Sequence, residues 1–306
     1  MNVLLTGGAG YVGTELSYLL DKDPEVDEIV IYDNLIRRNY NLFIGQSKMK
    51  SKKLRFVQAD ILDSRKLKAE VERADVIFHL AAKVSTPFAD HNPHEFDQIN
   101  NWGTAELSYL VEESRVSRFI YTSSVSVYGA SDEMVDMDAE PNPKTFYGIS
   151  KRNGETHVER LRKKHPGIFV LRLGNVYGYS KSMRFDSVIN KFMFEAHFAG
   201  RIRVFGDGHQ LRSFIHIDRL CRFLMDFAHG RHEAGTYNLV ESTFSVNSIA
   251  DHLLRLYPGL EMIYVNQNMN MRSLNVKPDE RLPELKPSSP EVLEEDLKRF
   301  RRGFSF

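Results

Sequence analysis

The first 175 residues alternate short apolar segments with amphipathic segments of helical spacing. The strand candidates, rich in branched and aromatic residues, are NVLLT (2–6), EIVIYD (28–33), LRFVQAD (54–60), DVIFHLAA (75–82), RFIYTSS (118–124) and IFVLRLG (168–174). Between the first two, Val12, Leu16, Leu19 and Leu20 form one apolar helical stripe. Strands that are apolar along their whole length are typical of a sheet covered by helices on both faces. The pattern therefore predicts an α/β fold with a doubly wound parallel sheet.

After residue 175 the alternation loosens, which indicates a smaller mixed α/β lobe. Residues 184–200 and 245–257 have helical patterns, residues 201–217 read as strand, turn and strand, and a last helix is expected near 290–301. We therefore predict two units, residues 1–175 and residues 176–306, and we allow the chain to cross back between them.

Composition excludes several classes of partner. Lysine plus arginine (41) equals aspartate plus glutamate (41), so no general field attracts nucleic acid or an anionic membrane surface. The single cysteine, Cys221, cannot form an internal disulfide. No window reaches the ~18 apolar residues of a membrane span, and the start MNVLLTGGAGYVG has no basic leader, so we expect a cytoplasmic protein.

The segment TGGAGYVG (6–13) follows the first strand and opens the first helix. Gly7, Gly10 and Gly13 have the spacing with which a tight turn brings backbone N–H groups close to a pyrophosphate. Tyr11 and Val12, between the last two glycines, belong to the same predicted cofactor loop. The alternative is a strand-to-helix turn that needs glycine for its own geometry.

Asp33 favours the dinucleotide interpretation, because it ends the second strand 20 residues after Gly13, where an acid binds the adenosine ribose. A carboxylate there repels a 2′-phosphate, so NAD is predicted over NADP, although Arg37 and Arg38 follow closely. Asn34 is included with Asp33 in the predicted site. The remaining predicted cofactor contacts lie after the third and fourth strands: Asp60, Ile61, Leu80, Ala81 and Ala82.

Taken in order, the motifs TGGAGYVG, HLAA (79–82), NNWGT (100–104), SSVSVYG (123–129), YGISK (147–151) and RLGNVYG (172–178) resemble those of the extended short-chain dehydrogenase/reductase family. The resemblance is strongest to its nucleotide-sugar epimerase and dehydratase branch. It covers most of the chain, is weakest from about residue 265, and implies a Rossmann-type fold with bound NAD.

The resemblance implies that Ser124, Tyr147 and Lys151 are catalytic. Tyr147 and Lys151 are four residues apart, so they share one helix face. A tyrosine with an ordinary pKa near ~10 is a poor base at neutral pH, and Lys151 is expected to lower the pKa and to hold the nicotinamide ribose. Asn100 matches an asparagine that supports this site, and we include it among the cofactor residues. Taken singly, Ser124 could be an end-of-strand cap and Asn100 a helix N-cap.

At two points this chain lacks residues that members of the family use for particular reactions, and these differences restrict the reactions that it could catalyse. Sugar 4,6-dehydratases carry an Asp-Glu pair where this chain has Val125 and Ser126, so the acid and base for eliminating water are missing. Relatives that epimerise beside a ketone use a cysteine, whereas Cys221 lies in an apolar helical pattern typical of a core. His79 is expected to be a core histidine, and the other histidines lack metal-ligand spacing.

The resemblance implies a nucleotide-diphosphate sugar substrate. Asn175, Arg212 and, more remotely, Arg272 match family residues that contact the diphosphate, and Ser213 replaces the aspartate that usually follows the arginine. Arg184 lies before a helix that could approach the substrate, or is a surface arginine. Ser85 completes the predicted substrate contacts.

The leading hypothesis is an NAD-dependent nucleotide-sugar 4-epimerase. A dehydrogenase or 4-keto reductase with exchangeable NAD(P) is the second hypothesis, and a catalytically idle dinucleotide sensor, which the intact Ser124, Tyr147 and Lys151 argue against, is the third. Relatives often dimerise through a four-helix bundle, so a homodimer through helices near 103–113 and 147–163 is expected.

Overall fold

The computed structural model describes residues 1–44, 52–84, 92–266, 268–269, 271–285 and 289–304. The strands, in chain order, are β1 Asn2–Thr6, β2 Glu28–Asp33, β3 Leu54–Gln58, β4 Val76–His79, β5 Arg118–Ser124, β6 Ser131–Val135, β7 Ile168–Leu173, β8 Asn175–Tyr177, β9 Arg201–Phe205, β10 Leu211–His216, β11 Gly235–Leu239, β12 Ser242–Ser245, β13 Glu261–Val265 and β14 Leu274–Val276.

The helices are α1 Tyr11–Lys22, α2 Ser64–Val71, α3 Pro93–Phe96, α4 Gly103–Glu112, α5 Phe146–Leu161, α6 Val188–Ala199, α7 Ile217–Ala228, α8 Val246–Leu256 and α9 Pro290–Gly303. A π-helical segment, Asp97–Trp102, joins α3 to α4, and a 3-10 helix, Val125–Tyr128, follows β5. None of the helices in these ranges is long and apolar enough to cross a membrane.

Seven parallel strands form the main sheet in the order β11-β7-β5-β4-β1-β2-β3. Alternate residues of one strand enter different cores: Leu5 packs with α1 and α7, whereas Leu4 packs with α2, α4 and α5. Both faces are therefore covered, and the predicted doubly wound Rossmann-type sheet is confirmed.

The second lobe is built from α6, α8, α9 and three small sheets. The two strands predicted within residues 201–217 are present but do not pair with each other. Instead, β9 pairs with β13, and β10 lies between β8 and β12. The chain also returns to the first lobe after residue 175, because α7 packs on α1 and β11 becomes the edge strand beside β7.

Candidate functional site

The turn after β1 has glycines where side chains would not fit. Gly7 has a φ of +72°, and a Cβ added there would lie 2.6 Å from the Cα of Ala81. At Gly13, a Cβ would lie 2.4 Å from the carbonyl oxygen of Gly8. At Gly10, by contrast, a Cβ would meet the Gly7 oxygen at 3.1 Å and no other described atom within 4 Å. The absent side chain at Gly10 therefore leaves open space at the start of α1.

This open space fits the pyrophosphate of a dinucleotide. The N–H groups in the first turn of α1, at Tyr11, Val12 and Gly13, have no acceptors within the helix, and the positive end of the helix dipole lies there. The Tyr11 ring itself is buried, and its hydroxyl donates to the Gly178 carbonyl at 2.5 Å. Tyr11 can thus serve a ligand through its backbone, while its side chain ties the loop to the second lobe.

The predicted ribose-binding residues lie together at the ends of β2 and β3. Asp33 accepts hydrogen bonds from the N–H groups of Ala9 at 3.1 Å and Leu35 at 2.8 Å. Burial raises the pKa of Asp33, and the two hydrogen bonds act in the opposite direction. The Asn34 amide donates to the Asp60 carboxylate at 2.8 Å. This acidic edge connects directly to the glycine loop through Ala9, as an NAD ribose site requires.

Arg37 lies close to charged groups of the second lobe. Burial lowers the pKa of Arg37, and the neighbouring charges that act on it are those of Arg184 and Asp186.

The other wall of the cofactor cleft follows β3 and β4. Ile61 is buried and packs so closely on α4 that a Cβ at Gly103 would lie 2.8 Å from its side chain. The N–H of Leu80 bonds to the Thr6 carbonyl, and Ala81 faces Gly7. Ala82 continues this small-residue wall. The predicted residues on both sides of the cleft are therefore close in space.

Asn100 supports this wall from the π-helical segment. Its side chain is buried, accepts the N–H of Lys83 at 2.8 Å and donates to the Lys83 carbonyl at 2.9 Å. The second amide proton goes to the Ser150 hydroxyl at 3.0 Å. Asn100 is therefore not a helix N-cap. With both amide N–H bonds in use, its side chain holds the chain after β4 against α5 rather than reaching a cofactor directly.

The predicted catalytic residues meet where β5 ends and α5 begins. Ser124 is the last residue of β5, and Tyr147 lies in the first turn of α5, which Thr145 caps by accepting the Gly148 N–H at 3.0 Å. The Ser124 hydroxyl lies close enough to the Tyr147 phenol to lower its pKa, against the larger effect of burial. Ser124 is also the N-cap of the short 3-10 helix. The capping role that the sequence allowed is therefore compatible with a catalytic role for the same hydroxyl.

Lys151 lies one turn further along α5 and is buried. Its ammonium donates to the Thr122 carbonyl at 2.7 Å and lies 4.7 Å from the centre of the Tyr121 ring. Burial lowers the pKa of Lys151 to about 7, and the Glu155 carboxylate acts against that shift. The site therefore holds a lysine that titrates near neutrality.

The cation that acts on the Tyr147 phenol is Arg184 rather than the expected Lys151. Burial raises the pKa of the Tyr147 phenol, and the groups that oppose this are the Arg184 guanidinium and the Ser124 hydroxyl. The Lys151 ammonium instead faces Thr122 and the Tyr121 ring. The sequence motif gave the correct neighbours, but it missed Arg184 as the cation that acts on the phenol.

The residues after Ser124 carry no carboxylate. Val125 is buried, and Ser126 donates its hydroxyl proton to the Ser124 oxygen at 3.0 Å. Because Ser124 accepts this proton, its own proton is available to Tyr147 or to a ligand oxygen.

Two predicted core residues are confirmed. His79 is buried, with its ring nitrogens 2.7 Å from the Thr6 hydroxyl and 2.9 Å from the Thr104 hydroxyl, and burial lowers its pKa to about 3. Cys221 is 1% exposed within the core, where burial raises its thiol pKa.

A group of possible metal ligands lies outside this site. Asp23, Glu25 and His229 come from the ends of α1 and α7, so sequence spacing did not indicate them. The two carboxylates face different nitrogens of the imidazole, at 2.7 Å for Asp23 and 3.7 Å for Glu25. The Asp23 carboxylate is hydrogen-bonded to the His229 ring, which joins the ends of α1 and α7.

The predicted substrate-binding residues of the second lobe donate hydrogen bonds to different backbone carbonyls. Arg212 is bonded to the Leu211 carbonyl at 2.8 Å and to the Arg272 carbonyl, so backbone oxygens orient it in place of the usual aspartate. Arg272 donates to the Lys144 carbonyl at 2.9 Å, just before α5. Asn175 is exposed and donates to the Ser213 carbonyl at 3.0 Å. These contacts bring Arg212 and Arg272 together, whereas Ser85 lies outside the described residues.

Arg184 forms a two-pronged ion pair with Asp186, with both bonds at 2.9 Å. Its positive charge also acts on Tyr147, so it is not simply a surface arginine. The segment before it is tied to the cofactor lobe: Ser182 bonds to Thr14 at 2.8 Å and to Asn39 at 3.1 Å. These contacts between distant segments have no signal in the sequence.

A family model and several curated proteins match most of this chain. The family model described as "NAD dependent epimerase/dehydratase family" matches residues 3–239. Human dTDP-D-glucose 4,6-dehydratase is 30% identical over 262 residues, which are 83% of this chain and 73% of the relative. The UDP-glucose 4-epimerase of Mycolicibacterium smegmatis is 32% identical over 225 residues, 71% of this chain and 70% of the relative.

Solved structures share the whole fold. MoeE5 in complex with UDP-glucuronic acid and NAD matches with a TM-score of 0.82 and 25% identity, covering 99% of this chain and 98% of that one. UDP-glucuronic acid 4-epimerase from Bacillus cereus, in complex with UDP-glucuronic acid and NAD, has a TM-score of 0.83 at 22% identity and covers 99% of both chains.

Proposed function

Because this chain belongs to the NAD-dependent epimerase/dehydratase family, we propose that it is a nucleotide-sugar 4-epimerase. Epimerases and dehydratases are both found among its relatives, so family membership alone supports an NAD-dependent enzyme acting on a nucleotide sugar. The choice between the two activities depends on the groups around Ser124.

The observation that carries the proposal is the composition of the catalytic end. The Ser124 hydroxyl acts on the Tyr147 phenol, and Lys151 lies one helical turn away, so acid/base groups for an alcohol are present. The two positions after Ser124 hold an apolar side chain and a hydroxyl, Val125 and Ser126. Elimination of water needs an additional acid and base, and these positions do not supply them. Oxidation and reduction at one carbinol remain.

Each residue of the catalytic end has a separate role in the proposed reaction. Tyr147 takes the proton of the sugar C4 hydroxyl and later returns it, while Ser124 donates a hydrogen bond to the same oxygen. Lys151, one helical turn further along α5, would hold the nicotinamide ribose hydroxyls. The glycine loop and Asp33 would hold NAD, which would supply the hydride acceptor and donor needed to oxidise C4 and to reduce it again from the opposite face.

The second lobe supports a nucleoside diphosphate as the recognised handle. Arg212 and Arg272 provide two guanidinium groups on neighbouring segments, and guanidinium matches phosphate geometry. Arg184 adds a third positive group close to Tyr147. The overall charge of the chain is balanced, so attraction of a diphosphate would depend on local cations such as these.

We also propose a homodimer through α4 and α5, which pack on each other. Large apolar side chains on and beside these helices are exposed: Trp102 by 59%, Tyr109 by 56%, Phe146 by 43% and Ile149 by 42%. Large exposed apolar side chains on two neighbouring helices favour a protein interface there. Light scattering should give twice the chain mass, and Tyr109→Glu should give one chain mass.

The function is tested with a panel of nucleotide sugars that vary in base and sugar, incubated with the purified protein and followed by proton NMR. A 4-epimerase gives a new C4 epimer without net formation of NADH. Stoichiometric NADH would indicate the dehydrogenase instead, and a dehydrated product would overturn the reasoning from Val125 and Ser126. NAD that stays bound through purification further favours the epimerase.

A further inference from the structure

A buried carboxylate lies directly behind the catalytic pair. Glu155 follows Lys151 by four residues on α5, so Tyr147, Lys151 and Glu155 form one stripe along the helix. The Glu155 side chain is 0% exposed. A buried charge is costly unless it is paired and hydrogen-bonded, so its surroundings should account for it.

The stripe on α5 meets three consecutive residues at the end of β5. Tyr147 lies beside Ser124, whose hydroxyl acts on its phenol, Lys151 donates to the Thr122 carbonyl at 2.7 Å, and Glu155 accepts the Ser123 hydroxyl proton at 2.7 Å. The helix that carries the acid/base group is thus fixed in register against the strand that carries the catalytic hydroxyl.

Arg172 on β7 completes the arrangement. Its guanidinium binds both Glu155 oxygens, at 3.0 Å and 2.8 Å, and donates to the Tyr128 hydroxyl at 2.8 Å. Tyr128 ends the 3-10 helix that starts directly after Ser124, and it donates in turn to Asn238 at 2.9 Å. The network therefore holds Ser124 from both sides, through Ser123 before it and through Tyr128 after it.

We propose that Glu155 is a positioning residue that aligns Ser124 with Tyr147 and keeps Lys151 charged. The inference rests on the proposed roles of Ser124, Tyr147 and Lys151, and it adds a residue that does not itself touch substrate or cofactor.

The charged groups around Glu155 support its proposed role in keeping Lys151 charged. The groups that face it are Arg172 from β7 and Arg152 from its own helix, the latter at 3.0 Å, with Tyr128 on the far side of Arg172. The groups around Lys151 are Glu155, Tyr121 and the buried His79, whose pKa the lysine charge lowers. Glu155 is the anion that acts on Lys151, and it opposes the loss of the lysine proton through burial.

Glu155 could instead be a simple structural ion pair, and the experiment must separate these roles. In Glu155→Gln with Arg172→Met, neither buried charge is left unpaired, and such replacements are often tolerated. Glu70→Gln with Arg55→Met is the matched control, because that carboxylate and guanidinium also form two bonds, at 3.0 Å and 2.5 Å, but join α2 to β3.

We expect the Glu155/Arg172 double variant to fold, to lose about tenfold or more in kcat with KM within twofold, and to show an alkaline limb of kcat/KM at lower pH. The control double variant should keep kcat and the pH profile within twofold. If the test variant is folded and has wild-type kcat and pH profile, Glu155 is only structural and the proposal is wrong.

A measurement without substrate separates this proposal from the proposed function. In protein labelled with ¹³Cε-lysine, the Lys151 resonance is assigned by its loss in Lys151→Met and titrated from pH 5 to pH 10. Its midpoint should fall by at least half a pH unit in the Glu155/Arg172 variant but not in the control. An unchanged midpoint overturns the charge role even if no sugar is epimerised.

Ser123→Ala keeps the proposal testable if the double variant does not fold. It removes one bond to Glu155 without leaving a buried charge unpaired. We expect kcat to fall about three- to tenfold with an unchanged KM, and Ser123→Thr to recover most of the loss. Wild-type kcat in folded Ser123→Ala would refute the alignment role.

Discussion

Gly7→Ala should destabilise the protein and weaken NAD binding because its Cβ would collide with Ala81. Gly200→Ala serves as the control, since that position has the same kind of backbone conformation without the collision. Gly7 and Gly200 both have positive φ, +72° and +62°. A Cβ at Gly200 would have no atom within 4 Å, whereas at Gly7 it would lie 2.6 Å from both the Cα and the N of Ala81. The two substitutions thus share the backbone strain but differ in steric contact.

The expected loss in the free energy of unfolding is the sum of the backbone strain and the steric overlap. Alanine in the left-handed region costs about 1–2 kcal/mol, so Gly200→Ala should lose that amount. At Gly7 the backbone of Ala81 must also move, which adds about 1–3 kcal/mol as overpacking does. The total of roughly 2–5 kcal/mol is below a typical free energy of unfolding, so the variant should still fold at low temperature.

Urea unfolding measures both free energies, and isothermal titration measures NAD affinity of the folded variants. We expect NAD affinity to fall at least tenfold in Gly7→Ala, because Ala81 belongs to the opposite wall of the cleft, and less than twofold in Gly200→Ala. Equal destabilisation of the two variants with unchanged NAD affinity would refute this reasoning about the glycine loop.

Three further predictions concern the catalytic end and the acidic edge. Tyr147→Phe should lower turnover about 10²- to 10⁴-fold with NAD affinity within twofold in calorimetry, and unchanged turnover would exclude its acid/base role. Burial lowers the Lys151 pKa to about 7, below the ~10.4 of an unfolded lysine, so the unfolded state holds more protons between these values. The free energy of unfolding of the wild type, relative to Lys151→Met, should therefore rise by roughly 2–3 kcal/mol from pH 6 to pH 9, and a flat difference in urea titrations would contradict this. Asp33→Asn should reduce the ratio of NAD to NADP affinity about tenfold, since it removes the carboxylate that repels a 2′-phosphate, and an unchanged ratio would place the discrimination elsewhere.

Local patterns were sufficient to predict six of the seven strands of the main sheet, whereas the edge strand β11 was missed. β1, β2 and β5 begin and end where their apolar runs do, and the start of α9 coincides with Pro290. These boundaries depend on residues adjacent in the chain, such as glycine turns and the proline at a first helical position. The cofactor loop was predictable for the same reason, because one short segment contains all of its glycines.

Contacts between distant segments could not be predicted in this way. The partner of β9 is β13 rather than β10, and only the packing of α6, α8 and α9 decides that pairing. Likewise, Arg184 acts on Tyr147 because the segment before α6 folds over the start of α5. Asn100 was predicted to support the site, but its hydrogen bonds depend on a π-helical turn that has no sequence signature.

The central claim is that the hydride removed from sugar C4 returns to the same carbon. The direct test is incubation with a nucleotide sugar deuterated at C4, the enzyme and unlabelled NAD, followed by NMR and mass spectrometry of the product. We predict a C4 epimer that keeps its deuterium, with no deuterium in free NADH. Loss of the label to solvent or to free NADH would contradict a 4-epimerase that works by intramolecular return of hydride.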